Sequence, residues 1–191
     1  EKGHLDYPRM LQGGFAGGVS AKCVPPQRYI NEVAPQRAHE QWNPLDILWQ
    51  QLDILKALVA ESDGRARLCL SAGDIAACRR DGVLAMVAHI EGADGFDAEG
   101  EALAAFYQAG VRSIGPFWNL PNIFGEGVNG SFPHSPDTGA GLTDAGKQLT
   151  AAANRHRTMT DYSHMNEQSF WDPARLSNVS SVASYSHSLV P

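Results

Sequence analysis

Residues that can bind a metal ion or a substrate stand where predicted strands end. They are Glu91, Trp118, Asn119, His164 and His187. Histidine and carboxylate groups on neighbouring strand ends are suitable zinc ligands. The carboxyl ends of the strands carry the chemistry in parallel α/β folds. The pattern therefore predicts a metal site there, with Glu91, His164 and His187 as candidate ligands.

Each of these side chains also has an ordinary structural interpretation. Glu91 fits a solvated carboxylate at a strand end, and His164 fits a loop residue or a cap for the helix that follows it. His187 lies near the end of the chain, where exposure is common. His89 is interpreted as a structural residue that points to the face opposite Glu91. The set as a whole predicts more than any single member, namely a hydrolase-like metal site on an α/β fold.

The elements that must position these residues alternate between short apolar runs and longer amphipathic stretches. Predicted strands end near residue 24 and cover 66–70, 83–90, 111–118, 158–163 and 179–186. Predicted helices cover 41–61, 72–80, 98–108, 144–156 and 166–176, and 119–141 is a long loop. Alternation of this kind is typical of βα units. Either an open doubly wound sheet or a (β/α)8 barrel fits it, and no GxGxxG motif supports a nucleotide-binding sheet.

Composition bounds the class of protein. The 191 residues are 43% hydrophobic and 19% charged, with a formal net charge of -6. This is a globular composition, and its mild acidity argues against a nucleic-acid partner. No apolar stretch is long enough for a membrane segment. Cys23, Cys69 and Cys78 form no CxxC pair, which suits a reduced compartment. A cytoplasmic location is favoured, and a periplasmic one stays open.

Five stretches of the sequence resemble the membrane (renal) dipeptidase family, especially its bacterial branch. They are HLDYPR at 4–9 with GGFAGG at 13–18, IEG at 90–92, VRSIG at 111–115 with WN at 118–119 and FG at 124–125, SPDTG at 135–139 with GLTDAG at 141–146, and DYSHMN at 161–166 with FWD at 170–172. They occur in the family's order and at its spacing, from residue 3 to about residue 177.

The resemblance implies a (β/α)8 barrel of metallo-dependent hydrolase type that hydrolyses dipeptides with two zinc ions. By position, Glu91 matches the carboxylate that bridges the zincs and His164 matches a histidine ligand of the second zinc. Trp118 and Asn119 are then expected to contact the small dipeptide substrate, and a homodimer is compatible with the family. A whole barrel takes about 250 residues, so we expect one partial barrel domain over 1–191, with about five βα units.

The chain departs from the family pattern at both ends. The family's first zinc motif is HxD, and His4-Leu5-Asp6 has this spacing. The residues after it match a later family segment, however, so we expect the HxD motif upstream. Tyr185 stands where the family has another histidine ligand. His187, two residues later on the same strand face, is the candidate replacement. The family's later arginine and aspartate have no counterpart.

These departures leave three interpretations. The first is a zinc dipeptidase whose parent activity is weak or lost in these 191 residues. The second is a non-catalytic fragment or pseudoenzyme of the same barrel, and the third is another metal-dependent amidohydrolase. Polar residues in the last third of the chain are expected to weaken it. Thr158, Thr160, Ser180 and Ser181 stand where a buried strand favours Val or Ile, and Arg157 stands where glycine often ends a helix.

Overall fold

A single parallel sheet organises the chain. The computed structural model describes residues 5–25, 27–37, 41–128 and 135–184. The strands in this part are β1 (Gly17–Lys22), β2 (Ala66–Leu68), β3 (Leu84–Glu91), β4 (Val111–Gly115), β5 (Met159–Asp161) and β6 (Ser181–Val182). They are hydrogen-bonded in the order β1-β3-β4-β5-β6. All of the pairs are parallel, and Ile90 lies opposite Ile114, so the predicted parallel pairing of β3 with β4 is confirmed.

Strand β3 is the centre of this sheet. β1 runs along one of its edges, where Lys22 lies opposite Ile90. β2 pairs only with the first three residues of β3, and β4 pairs with its second half. Because β1 overlaps both of them along β3, β2 and β4 must share the other edge. The register between β3 and β4 shifts after Ala88, and the extra residue, Arg112, donates to the carbonyls of Leu70 and Tyr107.

Helices cover the face of the sheet that carries Ile90 and Ile114. The α-helices of the described chain are α1 (Tyr7–Gln12), α2 (Gln27–Val33), α3 (Pro44–Glu61), α4 (Ala72–Asp81), α5 (Ala102–Gln108), α6 (Asp144–His156) and α7 (Glu167–Leu176). The sheet's two isoleucines join one buried core with Leu48 of α3 and Leu149 of α6. Trp49 of α3 stacks on Phe106 of α5 at 4.0 Å between ring centroids. The apolar stripe of α3 is therefore what anchors it against the sheet.

Side-chain caps fix where the helices begin. Thr143 accepts a hydrogen bond from Gly146 N, as predicted for α6, and Ser71 and Asn166 cap α4 and α7 in the same way. Helix α6 ends at Arg157, which has φ 53°. A left-handed conformation costs a non-glycine residue about 1–2 kcal/mol, so Arg157 does stand at a position that favours glycine, as predicted.

Several sequence predictions need correction. Helices α1 and α2 were not predicted, and α5 begins at 102 rather than 98 because Asp97 caps the backbone at Glu101 and Ala102. Strand β4 ends at Gly115, since Pro116 has no N–H for the ladder. The strand predicted over 179–186 is paired only at 181–182 within the described chain.

The polar residues of the last third behave in two ways. Thr158 and Thr160 are buried, and their hydroxyl oxygens have no hydrogen-bond partner among the described residues, so both are liabilities as predicted. Ser180 and Ser181 are exposed, and Ser181 donates to the Tyr162 hydroxyl at 2.8 Å. The prediction that these serines occupy buried strand positions is therefore wrong, because the short β6 leaves them at the surface.

Candidate active site

Glu91 and His164 meet at the carboxyl end of the sheet. Glu91 is the last residue of β3, and His164 lies in the turn after β5. His164 Nε2 is 2.9 Å from Glu91 Oε1, and the two side chains are only 18% and 16% exposed. They are 73 residues apart in the sequence, and the parallel order β3-β4-β5 is what brings them together.

Asn119 fixes the orientation of the His164 ring. It follows β4, the strand between the other two, and its Oδ1 is 2.9 Å from His164 Nδ1. Nδ1 can donate its proton to this amide oxygen. Nε2 is then the nitrogen that faces Glu91. A hydrogen bond of this kind is how proteins orient a metal-binding histidine.

Trp118 forms a wall beside the same pair. Its ring centroid lies 6.1 Å from that of His164, and 37% of the residue is exposed. The loop that carries Trp118 and Asn119 packs against Gly127, which forms an antiparallel bridge with Met165. A Cβ on Gly127 would collide with the Trp118 carbonyl and with Asn119. This glycine therefore permits the close approach that places both residues at the site.

Asp161 organises the turn that carries His164. Its side chain is buried, and Oδ1 accepts hydrogen bonds from Ser163 N at 2.9 Å and Ser184 N at 3.2 Å. The Ser184 hydroxyl donates to the other carboxylate oxygen. His164 itself has φ 70°, a conformation that a non-glycine residue keeps only when its surroundings enforce it. The carboxylate thus ties the ends of β5 and β6 together.

His89 lies one layer below the pair. Its Nδ1 is 2.9 Å from Ser113 Oγ and its Nε2 is 3.8 Å from Asp161 Oδ2. Burial lowers the pKa of His89, and the nearby Asp161 carboxylate partly opposes this effect. The structural interpretation of His89 fits this buried position. The prediction that it faces away from Glu91 is wrong, because residues two apart in a strand share a face.

A cavity of about 610 Å³ opens beside Glu91. Its lining comprises residues 23–25, Tyr29 and Glu32 from α2, and Glu91 and Trp118. Burial, followed by the charge of Glu91, raises the pKa of the Cys23 thiol. Sequence reasoning missed the wall formed by α2 because it did not predict that helix. It also missed Asp161, although this residue stands only three positions before His164.

Of the other positions considered as possible ligands or replacements, only Asp6 lies within the described residues. Tyr185, His187 and His4 lie outside the described residues. Asp6 caps α1 and forms an ion pair with Arg9, and the hydrogen bonds from Arg9 lower the pKa of the Asp6 carboxyl.

The donor set of the described site suits zinc but is small. An imidazole nitrogen and a carboxylate oxygen 2.9 Å apart are ligand types that zinc prefers. Within the described ranges, no group of three or more His, Cys, Asp or Glu side chains converges. Glu91 and His164 therefore supply part of a coordination shell.

Comparison with known proteins decides the family. The model for "Membrane dipeptidase (Peptidase family M19)" matches residues 1–190. The chain belongs to this family. The resemblance inferred from the five sequence stretches is thereby confirmed.

Solved structures place the sheet within the membrane dipeptidase fold. The chain is similar to a metallo peptidase from Rhodobacter sphaeroides crystallised with a phosphinate mimic of L-Ala-D-Ala, with 38% identity and a TM-score of 0.83. It is also similar to a solved family M19 peptidase, dipeptidase AC, with 40% identity and a TM-score of 0.81. The alignments cover 93% and 92% of this chain. The fold is accordingly of the (β/α)8 barrel type, as predicted.

The chain spans little more than half the length of these membrane dipeptidase relatives. It covers 54% and 52% of the two solved chains. A Klebsiella pneumoniae relative, known as an uncharacterized protein in the pqqA 5' region, is 64% identical over 151 residues, which are 78% of this chain and 56% of that protein.

Within the described residues, no helix is long and apolar enough to cross a membrane.

Proposed function

We propose that this chain forms part of a zinc-dependent dipeptidase site, in which Glu91 bridges two zinc ions and His164 binds one of them. The observation that carries the proposal is the convergence of His164 Nε2 and Glu91 Oε1 at 2.9 Å, on the carboxyl ends of strands two places apart in the sheet. Membership of a dipeptidase family supports the substrate class. His187 is kept as a candidate third ligand.

The residues around Glu91 and His164 position these two side chains for zinc binding. A carboxylate is needed between two dications because its charge offsets their repulsion. Glu91 is suitably placed because it occupies the last paired position of β3, opposite Gly115. Asn119 holds the His164 ring so that Nε2 faces the carboxylate. Trp118 supplies an apolar wall for the substrate. When bound, zinc would polarise the scissile carbonyl and activate water.

A second function is favoured by one observation. Within the described part of the chain, no third His, Cys, Asp or Glu side chain joins Glu91 and His164. A chain with two ligands would hold one metal ion weakly, as expected for a non-catalytic relative of the enzyme. The two functions differ in zinc stoichiometry and in turnover.

Zinc analysis of the purified and dialysed chain separates the two functions. Two tightly held zincs per chain, together with chelator-sensitive hydrolysis of glycyl-leucine, would support the dipeptidase. One zinc or none, without turnover, would support the non-catalytic relative.

Glu91→Gln tests the assignment of the bridging residue. The amide has no charge to hold two dications together, so this change should remove most of the bound zinc. The exposed Glu99→Gln should leave the zinc content unchanged and serves as the matched control. Unchanged zinc content and rate in Glu91→Gln would show that Glu91 has been assigned wrongly.

A further inference from the structure

The cavity beside Glu91 has an acidic and aromatic lining. Glu32 and Tyr29 of α2 face the same space as Glu91 and Trp118. Its volume of about 610 Å³ lies within the range of small-molecule sites, about 300–1,000 Å³. A dipeptide held at the Glu91–His164 pair would therefore extend a side chain into it.

The charge of the cavity lining favours one class of substrate side chain. No basic residue is among the described lining residues, and Glu32 forms no ion pair with any of them. If the Glu91 charge is taken up by zinc, Glu32 remains as the other negative charge among the described lining residues. An acidic side chain would be repelled there, whereas a cationic one would gain a partner.

The rest of the lining suits a long cationic side chain. Val24 and Pro25 offer an apolar surface for methylene groups, in the way that lysine and arginine stems commonly pack. Tyr29 is 53% exposed and Trp118 is 37% exposed, so both rings are accessible to a cation. A cation over an aromatic face gains about 0.5–1 kcal/mol at an exposed site.

We propose that the cavity selects dipeptides with a lysine or arginine side chain, and that Glu32 is the residue that determines this specificity. The inference rests on the proposed function, since it places the scissile bond at Glu91 and His164. It goes further by naming the substrate class and the counter-charge on α2.

The test compares peptides that differ only in charge. Binding of lysyl-glycine and norleucyl-glycine, and of glycyl-lysine and glycyl-norleucine, is measured by calorimetry on the zinc-supplemented 191-residue chain. In at least one pair the lysine peptide should bind about threefold to tenfold more tightly, as expected for one solvent-accessible ion pair and one cation–π contact. High salt should shrink this ratio, because it screens exposed charges.

Variants assign the effect to Glu32. Glu32→Gln should bring the ratio to about one, and Glu32→Lys should reverse it in favour of glutamyl peptides. Glu61→Gln, at the exposed end of α3, should keep the wild-type ratio. Equal affinities in the wild-type chain, no binding of any peptide, or an unchanged ratio in Glu32→Gln would each overturn the inference.

Parallel hydrolysis assays separate this inference from the proposed function. A Glu32-dependent preference in binding without any turnover would leave the inference standing and count against the dipeptidase. Zinc-dependent turnover of lysine and norleucine peptides with equal KM would support the dipeptidase and overturn the inference.

Discussion

Removing the Asp161 carboxylate should destabilise the fold and the candidate metal site together. This buried group accepts hydrogen bonds from Ser163 N, Ser184 N and the Ser184 hydroxyl. Asp161→Ala would remove this acceptor from all three donors, of which only Ser163 N belongs to a buried residue. Hydrogen bonds to a charged group contribute about 1.5–3 kcal/mol, a large part of a total stability of about 5–15 kcal/mol. Asp161→Asn keeps one acceptor oxygen, so its cost should be smaller, about 1–2 kcal/mol.

The cost of the alanine change should depend on pH. Burial opposes ionisation of Asp161, but the hydrogen bonds from Ser184 and Ser163 outweigh it and hold the pKa of the carboxyl below its usual value. An unfolded aspartate titrates near pH 3.9. The stabilisation is therefore complete above that value and is lost as the pH falls through the lower pKa of the folded state. The difference in unfolding free energy between wild type and Asp161→Ala should therefore narrow as the pH falls below about 4.

Urea unfolding and zinc binding together test this reasoning. Because Asp161 fixes the turn that carries His164, its loss should weaken zinc binding about tenfold to a hundredfold, as is typical for groups that support metal ligands. Asp53→Asn, at an exposed position on α3, should change neither property. If Asp161→Ala unfolded at the wild-type urea concentration at pH 7, the proposed network would not contribute to stability.

Three further substitutions test separate features of the chain. Thr160→Val removes a buried hydroxyl without a partner and should raise the unfolding free energy by about 1–2 kcal/mol; a loss of stability would mean that the hydroxyl has a partner. Arg157→Gly relieves the left-handed φ of 53°. It should raise the unfolding free energy by about 1 kcal/mol, which is measured as a higher melting temperature. A lower melting temperature would show that Arg157 is not strained. Gly127→Ala forces a Cβ against the Trp118 carbonyl and should lower both thermal stability and zinc affinity; wild-type values would show that the loop can relax.

The sequence predicted the fold where burial imposes a clear periodicity. Helix α3 and strand β3 carry long apolar patterns; α3 begins three residues after its predicted start, and β3 is shifted by one residue. Helix α1 has six residues and none of them is buried, so no apolar stripe could indicate it. Its start depends on the Asp6 side chain, which is a local hydrogen bond rather than a pattern.

The site was predictable only in part for the same reason. Strand ends in a parallel sheet converge, so the sequence alone places Glu91 and His164 at the same end of the sheet. The side chains that orient them depend on loop geometry. The bond from Asn119 to His164 spans 45 residues, and the α2 wall with Tyr29 and Glu32 depends on a short helix with a weak pattern. Neither leaves a periodic signal.

The sheet supports Glu91 more firmly than it supports His164. Glu91 ends an eight-residue strand flanked on both edges, whereas His164 follows the three-residue β5, which has two paired positions with each neighbour. Thr158 and Thr160 add unpartnered hydroxyls beneath this second half. Strand pairing alone is therefore too short to hold His164 in its left-handed conformation. Asp161 is the group that compensates, because its carboxylate joins the ends of β5 and β6 where the ladder stops. Any local opening of the chain should accordingly release His164 before it disturbs Glu91.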